Sequence, residues 1–251
     1  MDTETPREFV MFGTAHLGIL LFLVMCAVVL LTFACRQAET PRVYRMGGAL
    51  GLYLLVQELA DRMVRWLWIG EPFRNVLPLH LCGMSVLLTG VVLLRPVQSL
   101  FELVFYWGLV GATLAVITPD TPYAPPHFLF FTFFLSHGFV VIGVLYAAVG
   151  YGLQPRARSP WFALAMLNAY AVLVAVFNAL FGTNYLYLCA KPAGGTLMDA
   201  FGPWPVYLLV IEGIGAVTFP LVYLLSRAVG KIPWCARTST HKGGAGFSAE
   251  G

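Results

Sequence analysis

The stretch Asn75-Val-Leu-Pro-Leu-His-Leu-Cys-Gly-Met-Ser-Val-Leu-Leu-Thr89 opens an apolar run of helix-like length and carries His80 and Cys82 near its beginning. Pro78 suits the first turn of a helix, where its missing N–H breaks no bond. Cys82 then sits about one turn inside a helix start. Unpaired N–H groups and the positive end of the helix dipole lie there, and both favour a thiolate, the nucleophilic form of cysteine. The same residue also reads as an inert small hydrophobe in an apolar run. The rest of the chain bears on the choice.

The 251 residues are 59% hydrophobic and 11% charged, where soluble domains are about 45–50% apolar and about 25% charged. This composition implies an all-α polytopic membrane protein. A net charge of +3 is too small to suggest nucleic acid as a partner. The five cysteines, at 26, 35, 82, 189 and 235, form no CxxC pair and no zinc spacing, so neither a disulfide scaffold nor a metal site is signalled. No phosphate-cradling loop is visible, and no cofactor is implied. No cleavable signal peptide is apparent: the first ten residues are polar and acidic, and the first apolar run is too long for an h-region.

Seven spans are expected, roughly at 13–35, 46–69, 77–94, 97–118, 127–151, 160–181 and 204–228. They lie between a polar head, 1–12, and a Gly-, Ser- and Thr-rich tail, 231–251, expected to be disordered. Neither an internal repeat nor a separate soluble domain is evident. With seven crossings, ten Lys and Arg residues fall on one side and three on the other. Basic loops prefer the cytoplasm, which places the N-terminus outside and the C-terminus inside. At about 1.5 Å per residue, Cys82 then lies roughly 7 Å below the outer start of its span, Glu212 roughly 12 Å and His137 roughly 15 Å. On span two, Asp61 lies roughly 12 Å and Arg65 roughly 6 Å from the outer end. Glu102 alone belongs near the inner face. His16 is expected at the interface, and the loop 182–203 is either a cap over a cavity or an ordinary interfacial loop.

Ionisable groups in a bilayer are costly and point to function or to each other. Glu58 with Arg62 and Asp61 with Arg65 are i,i+4 pairs in the favourable order. They read as mutually neutralised anchors or as a site in which Arg62 or Arg65 holds a lipid phosphate. His80 and Cys82 are two apart and point to different sides of a helix, so His137, on another span, is the better base. His137 equally reads as a packing histidine. Glu212 is either an orienting carboxylate for a histidine or a structural partner of an arginine. For an oxyanion donor the candidates are His80 and Asn184.

Several linked segments carry a resemblance. They are Leu77-Pro-Leu-His-Leu-Cys82, Phe105-Tyr-Trp-Gly with Pro119-Asp120, and the Phe-rich run ending Phe134-Leu-Ser-His137. With them go Gly182-Thr-Asn-Tyr-Leu, Lys191-Pro192, Asp199 and Gly202-Pro-Trp-Pro205. In this order, over about 46–225, they resemble the bacterial YwaF-type integral membrane family, related to the animal transmembrane protein 164 acyltransferases. The resemblance implies a helical membrane fold and the transfer of fatty acyl chains between phospholipids and lysophospholipids. It implies Cys82 and His137 as the catalytic pair, in a multi-pass protein of the cell membrane. A competing class is a transporter or lipid-binding protein that uses Glu58, Asp61, His137 and Glu212 as a path and leaves Cys82 passive. A structural or sensory seven-span protein is a third.

Overall fold

The computed structural model describes residues 9–192 and 197–229. The tail expected at 231–251 and the first eight residues of the head lie outside them. Among the described residues there are seven long helices and no strand: α1 Thr14–Arg36, α2 Pro41–Met63, α3 Leu81–Leu94, α4 Gln98–Ile117, α5 Phe128–Gly150, α6 Ser159–Phe181 and α7 Val206–Val229. Five of them (α1, α4, α5, α6 and α7) are long and apolar enough to cross a membrane.

The two that miss that mark explain the architecture. Residues 42, 45, 58, 61 and 62 make α2 ionisable at five positions. The helix α3 is apolar but has only 14 residues, about 21 Å against a hydrocarbon core of about 30 Å. These two pack on each other and, with α4 and α5, form the centre. The inward stripe of α2 is Val43, Gly47, Leu50, Leu54, Glu58 and Asp61, spaced three or four apart as one helical face requires. In the most apolar windows of α4 and α5, 56% and 61% of residues are buried, against 11%, 11% and 6% in α1, α6 and α7. The latter three therefore form the apolar outer wall, α1 on α5, α6 on α4, and α7 on α6.

Polar contacts show that successive helices run in alternate directions. At one end Tyr146 donates to the Val43 carbonyl (2.9 Å), and Tyr151 donates to that of Leu93 (2.8 Å). Glu102, only 1% exposed, is held there by Arg156 Nε and Nη2, both at 2.7 Å. At the other end Thr132 of α5 donates to Asp61 of α2 (2.7 Å). Tyr170 of α6 donates to the Leu79 carbonyl ahead of α3 (2.9 Å).

Three expectations change. The second helix begins at Pro41, not near residue 46, because proline fits the first helical position after Thr40. His16 is not interfacial: it is fully buried. It accepts from the Phe12 N–H and bonds the Val116 carbonyl (3.0 and 2.9 Å), with Phe9, Phe12 and Phe134 around its ring. Cys35 at the end of α1 is disulfide-bonded, which cysteine spacing did not signal; Cys26, Cys82 and Cys189 are free thiols.

Candidate functional site

The helix α3 starts later than expected. His80 is its N-cap residue and Pro78 lies ahead of it, so Cys82 is in the first turn and not one turn inside. Two contacts hold the preceding segment back: Leu79 N–H bonds the Leu77 carbonyl (2.8 Å), and Tyr170 takes the Leu79 carbonyl. The first intrahelical-type bond at this end is Met84 N–H to the His80 carbonyl (3.0 Å). The N–H groups of Leu81, Cys82 and Gly83 precede it and are the unpaired donors that every helix start leaves.

This late start brings Cys82 level with His137. Measured from the ends tied together by Tyr151, Cys82 lies about 18 Å from Leu94 and His137 about 20 Å from Gly150. The difference in depth expected from the outer ends therefore disappears. The two side chains line one cavity of about 210 Å³ between α3, α4 and α5. Apart from Cys82, His137 and Ser85 its wall is apolar, with Val86, Trp107 and Val140 among the lining residues.

The His137 ring is fixed by its own helix. Nδ1 lies 2.7 Å from the Phe133 carbonyl. A carbonyl only accepts, so Nδ1 carries the proton and Nε2 keeps the lone pair. The Phe133 ring lies 4.5 Å from the imidazole, and Ser136 Oγ donates to the same carbonyl (3.0 Å). A main-chain carbonyl thus fixes the tautomer and orientation of this histidine, the orienting part of what a carboxylate does in a Ser-His-Asp arrangement.

The remaining predicted residues separate into near and distant groups. The pairs on α2 form as expected: Arg62 Nε donates to Glu58 (2.8 Å) and Arg65 Nε to Asp61 (2.8 Å), with Arg65 Nη1 also reaching Glu71 (3.2 Å). The Glu58–Arg62 pair stands against the first turn of α3 because residue 83 is glycine. A Cβ there would lie 2.8 Å from Glu58 Oε1, 2.9 Å from Arg62 Nη2 and 3.2 Å from the Pro78 backbone. Arg65 is on the π-helical stretch Val64–Ile69 that continues α2, a geometry frequent at functional sites. Both arginines already have carboxylate partners.

His80 turns away from Cys82. Its ring meets Tyr185 and Tyr187 at 4.9 and 5.3 Å, and Nδ1 accepts from Leu186 N–H at 3.4 Å. Burial pushes the Tyr185 and Tyr187 phenols up, so both stay neutral donors, and Tyr185 donates to the Arg74 carbonyl (2.9 Å). The loop after α6 thereby pins the segment before α3. Asn184 is used inside that loop. Its Oδ1 accepts from the N–H groups of Cys189 and Ala190, and its Nδ2 donates to the Ala190 carbonyl. Glu212 of α7 accepts from Asn168 of α6 (2.7 Å) and orients no histidine. Neither Asn184 nor Glu212 lines the cavity. Sequence reasoning expected unpaired N–H groups near Cys82 but began the helix too early, and so did not assign them to Leu81, Cys82 and Gly83. It also missed Ser85, which the i,i+3 spacing from Cys82 could have flagged. Among the described residues no cluster of three or more His, Cys, Asp or Glu has metal-binding geometry.

An uncharacterised protein of Treponema pallidum (strain Nichols) is 26% identical to this chain over 226 residues, covering 87% of the chain and 90% of the relative. No solved structure matches. A profile of the TMEM164 family matches residues 11–223. That range holds α1 to α6 whole, with Cys82, His137 and the cavity they line, and the chain belongs to the TMEM164 family.

Proposed function

We propose that the protein is an integral membrane acyltransferase that exchanges fatty acyl chains between phospholipids and lysophospholipids through a thioester on Cys82. The observation that carries this reading is a free, exposed thiol and a tautomerically fixed histidine on the wall of one largely apolar cavity. The family resemblance points to the same chemistry. Cys82 Sγ adds to the ester carbonyl carbon of a phospholipid while its proton passes to His137 Nε2. The C–O bond breaks, the lysophospholipid alkoxide takes the proton from His137, and the acyl group stays on sulfur. A second lysophospholipid then gives its hydroxyl proton to His137, attacks the thioester carbon and releases the thiolate. The unpaired N–H groups of the first turn of α3 are donors for the oxyanion. Apolar walls favour transfer to lipid over hydrolysis. The transporter reading loses its path, since Glu58, Asp61 and Glu212 are each engaged with a neighbour.

In this proposal the acyl chain occupies the slot beside α4, where Gly111, Ala112 and Ala115 line the cavity. Ala115→Phe narrows that slot. It is expected to lower transfer of long acyl chains by about tenfold or more, on the scale of about 1–3 kcal/mol for overpacking, while short chains are spared. Competition between two acyl-chain lengths, followed by mass spectrometry, checks this; equal loss for both lengths argues against the slot.

Seven crossings, an outer N-terminus and residence in the cell membrane belong to the same proposal, with the distribution of Lys and Arg in support. The disulfide at Cys35 lies on the side that this orientation makes cytosolic, where disulfides are rare. Cys189, a free and exposed thiol at the opposite end, decides between the two. The orientation predicts its labelling by a membrane-impermeant maleimide in intact cells, and protection until lysis would reverse it.

A further inference from the structure

Ser85 stands out among the groups that the proposed mechanism has not used. It is 2% exposed, and its Oγ has no hydrogen-bond partner among the described residues. It also lines the cavity that holds Cys82 and His137. Serine in a helix commonly satisfies itself by bonding the carbonyl of residue i−4, and this one does not. Thr89, one turn further, is equally buried and unpartnered but does not line the cavity. Ser85 is three residues after Cys82 and so on the same face of α3. Helical side chains lean toward the N-terminus of their helix, which carries the hydroxyl back toward the Cys82 turn. An unsatisfied hydroxyl in an apolar wall costs free energy unless a ligand completes it.

We propose that Ser85 donates a hydrogen bond to the carbonyl oxygen of the acyl group, as the side-chain member of the oxyanion site at the start of α3. This deepens the acyltransferase reading and rests on it. As Cys82 Sγ adds to the carbonyl carbon, the C=O π pair moves onto oxygen. Ser85 O–H stabilises that charge without giving up its proton, and the bond relaxes when the carbonyl re-forms as the thioester. Apart from Cys82 and His137 the cavity wall is apolar, so the acyl oxygen is the acceptor that this hydroxyl fits.

The test compares two reactions at one sulfur in full-length protein in detergent. A 4-nitrophenyl ester of a fatty acid acylates Cys82 through a tetrahedral oxyanion. Iodoacetamide alkylates it by direct displacement at a saturated carbon, with no oxyanion. Peptide mass spectrometry reads both at Cys82. In Ser85→Ala, acylation is expected to fall about 10- to 100-fold, below or at the low end of the loss seen for a single oxyanion donor because backbone N–H groups remain. Alkylation should stay within about twofold and the melting temperature should not fall. Equal acylation in wild type and variant overturns the Ser85 role alone. A parallel loss of acylation and alkylation makes Ser85 structural and also overturns it. Absence of any Cys82 acylation in wild type defeats the acyltransferase reading itself.

Discussion

His137→Ala lowers acyl transfer by about three orders of magnitude, in the middle of the range for a positioned acid–base group, and leaves the fold intact. In the proposed mechanism the ring serves both halves of the reaction, taking a proton from Cys82 and later from the acceptor hydroxyl, so its loss is expected to slow acylation and deacylation alike. The cost to stability is small by comparison. His137 bonds only the Phe133 carbonyl and the Ser136 hydroxyl of its own helix, and its ring is partly open to the cavity. Single-turnover acylation of Cys82 and steady-state transfer, measured side by side with thermal unfolding, separate these effects. A variant that keeps near wild-type transfer would show that another group moves the proton.

Glu58→Ala is expected to cost about 3 kcal/mol of stability, near the lower end for breaking a buried ion pair because Arg62 retains some contact with solvent. The Glu58 side chain is 6% exposed and that of Arg62 is 19%. Removing the carboxylate leaves a guanidinium against the first turn of α3, beside Gly83, with no anion to hold it. Replacing both residues by Met removes the orphaned charge and should recover most of the loss, since apolar substitutes for a buried pair are often neutral. Denaturation of the single and double variants in detergent reads the difference. Were Glu58→Ala as stable as wild type, the pair would be a solvated one and no anchor for the site.

Much of this arrangement is written locally in the sequence. Long apolar runs mark five helices, and the i,i+4 charges on α2 find each other as their spacing requires. Residue types leave His137 open between a base for Cys82 and a packing histidine, and the structure puts both side chains on one cavity wall. Depth did not follow, because hydropathy cannot distinguish an apolar helix from an apolar approach to one. Residues 77–80 look like the start of α3 and are instead tied to Tyr170 and, by way of His80, to the Tyr185 loop. Tertiary contacts between residues about a hundred apart set that boundary. The same reason hides the burial of His16, whose partner is the Val116 carbonyl. It also hides the fate of Asn184 and Glu212, whose partners are chosen by loop shape and by the packing of α6 on α7. Ser85 is unremarkable in sequence, and only the cavity beside it gives its hydroxyl a meaning.

The central claim is a covalent acyl group on Cys82. The most direct measurement is the intact mass of wild type and Cys82→Ala after incubation in detergent with a defined phospholipid and lysophospholipid, with both lipids analysed in the same sample. The account predicts one acyl adduct on wild type, mapped to Cys82, together with newly acylated acceptor. Both should disappear in Cys82→Ala, with transfer reduced by at least about a thousandfold. Acyl transfer that continues in folded Cys82→Ala, or wild-type protein that neither carries an acyl group nor changes the lipids, would contradict it.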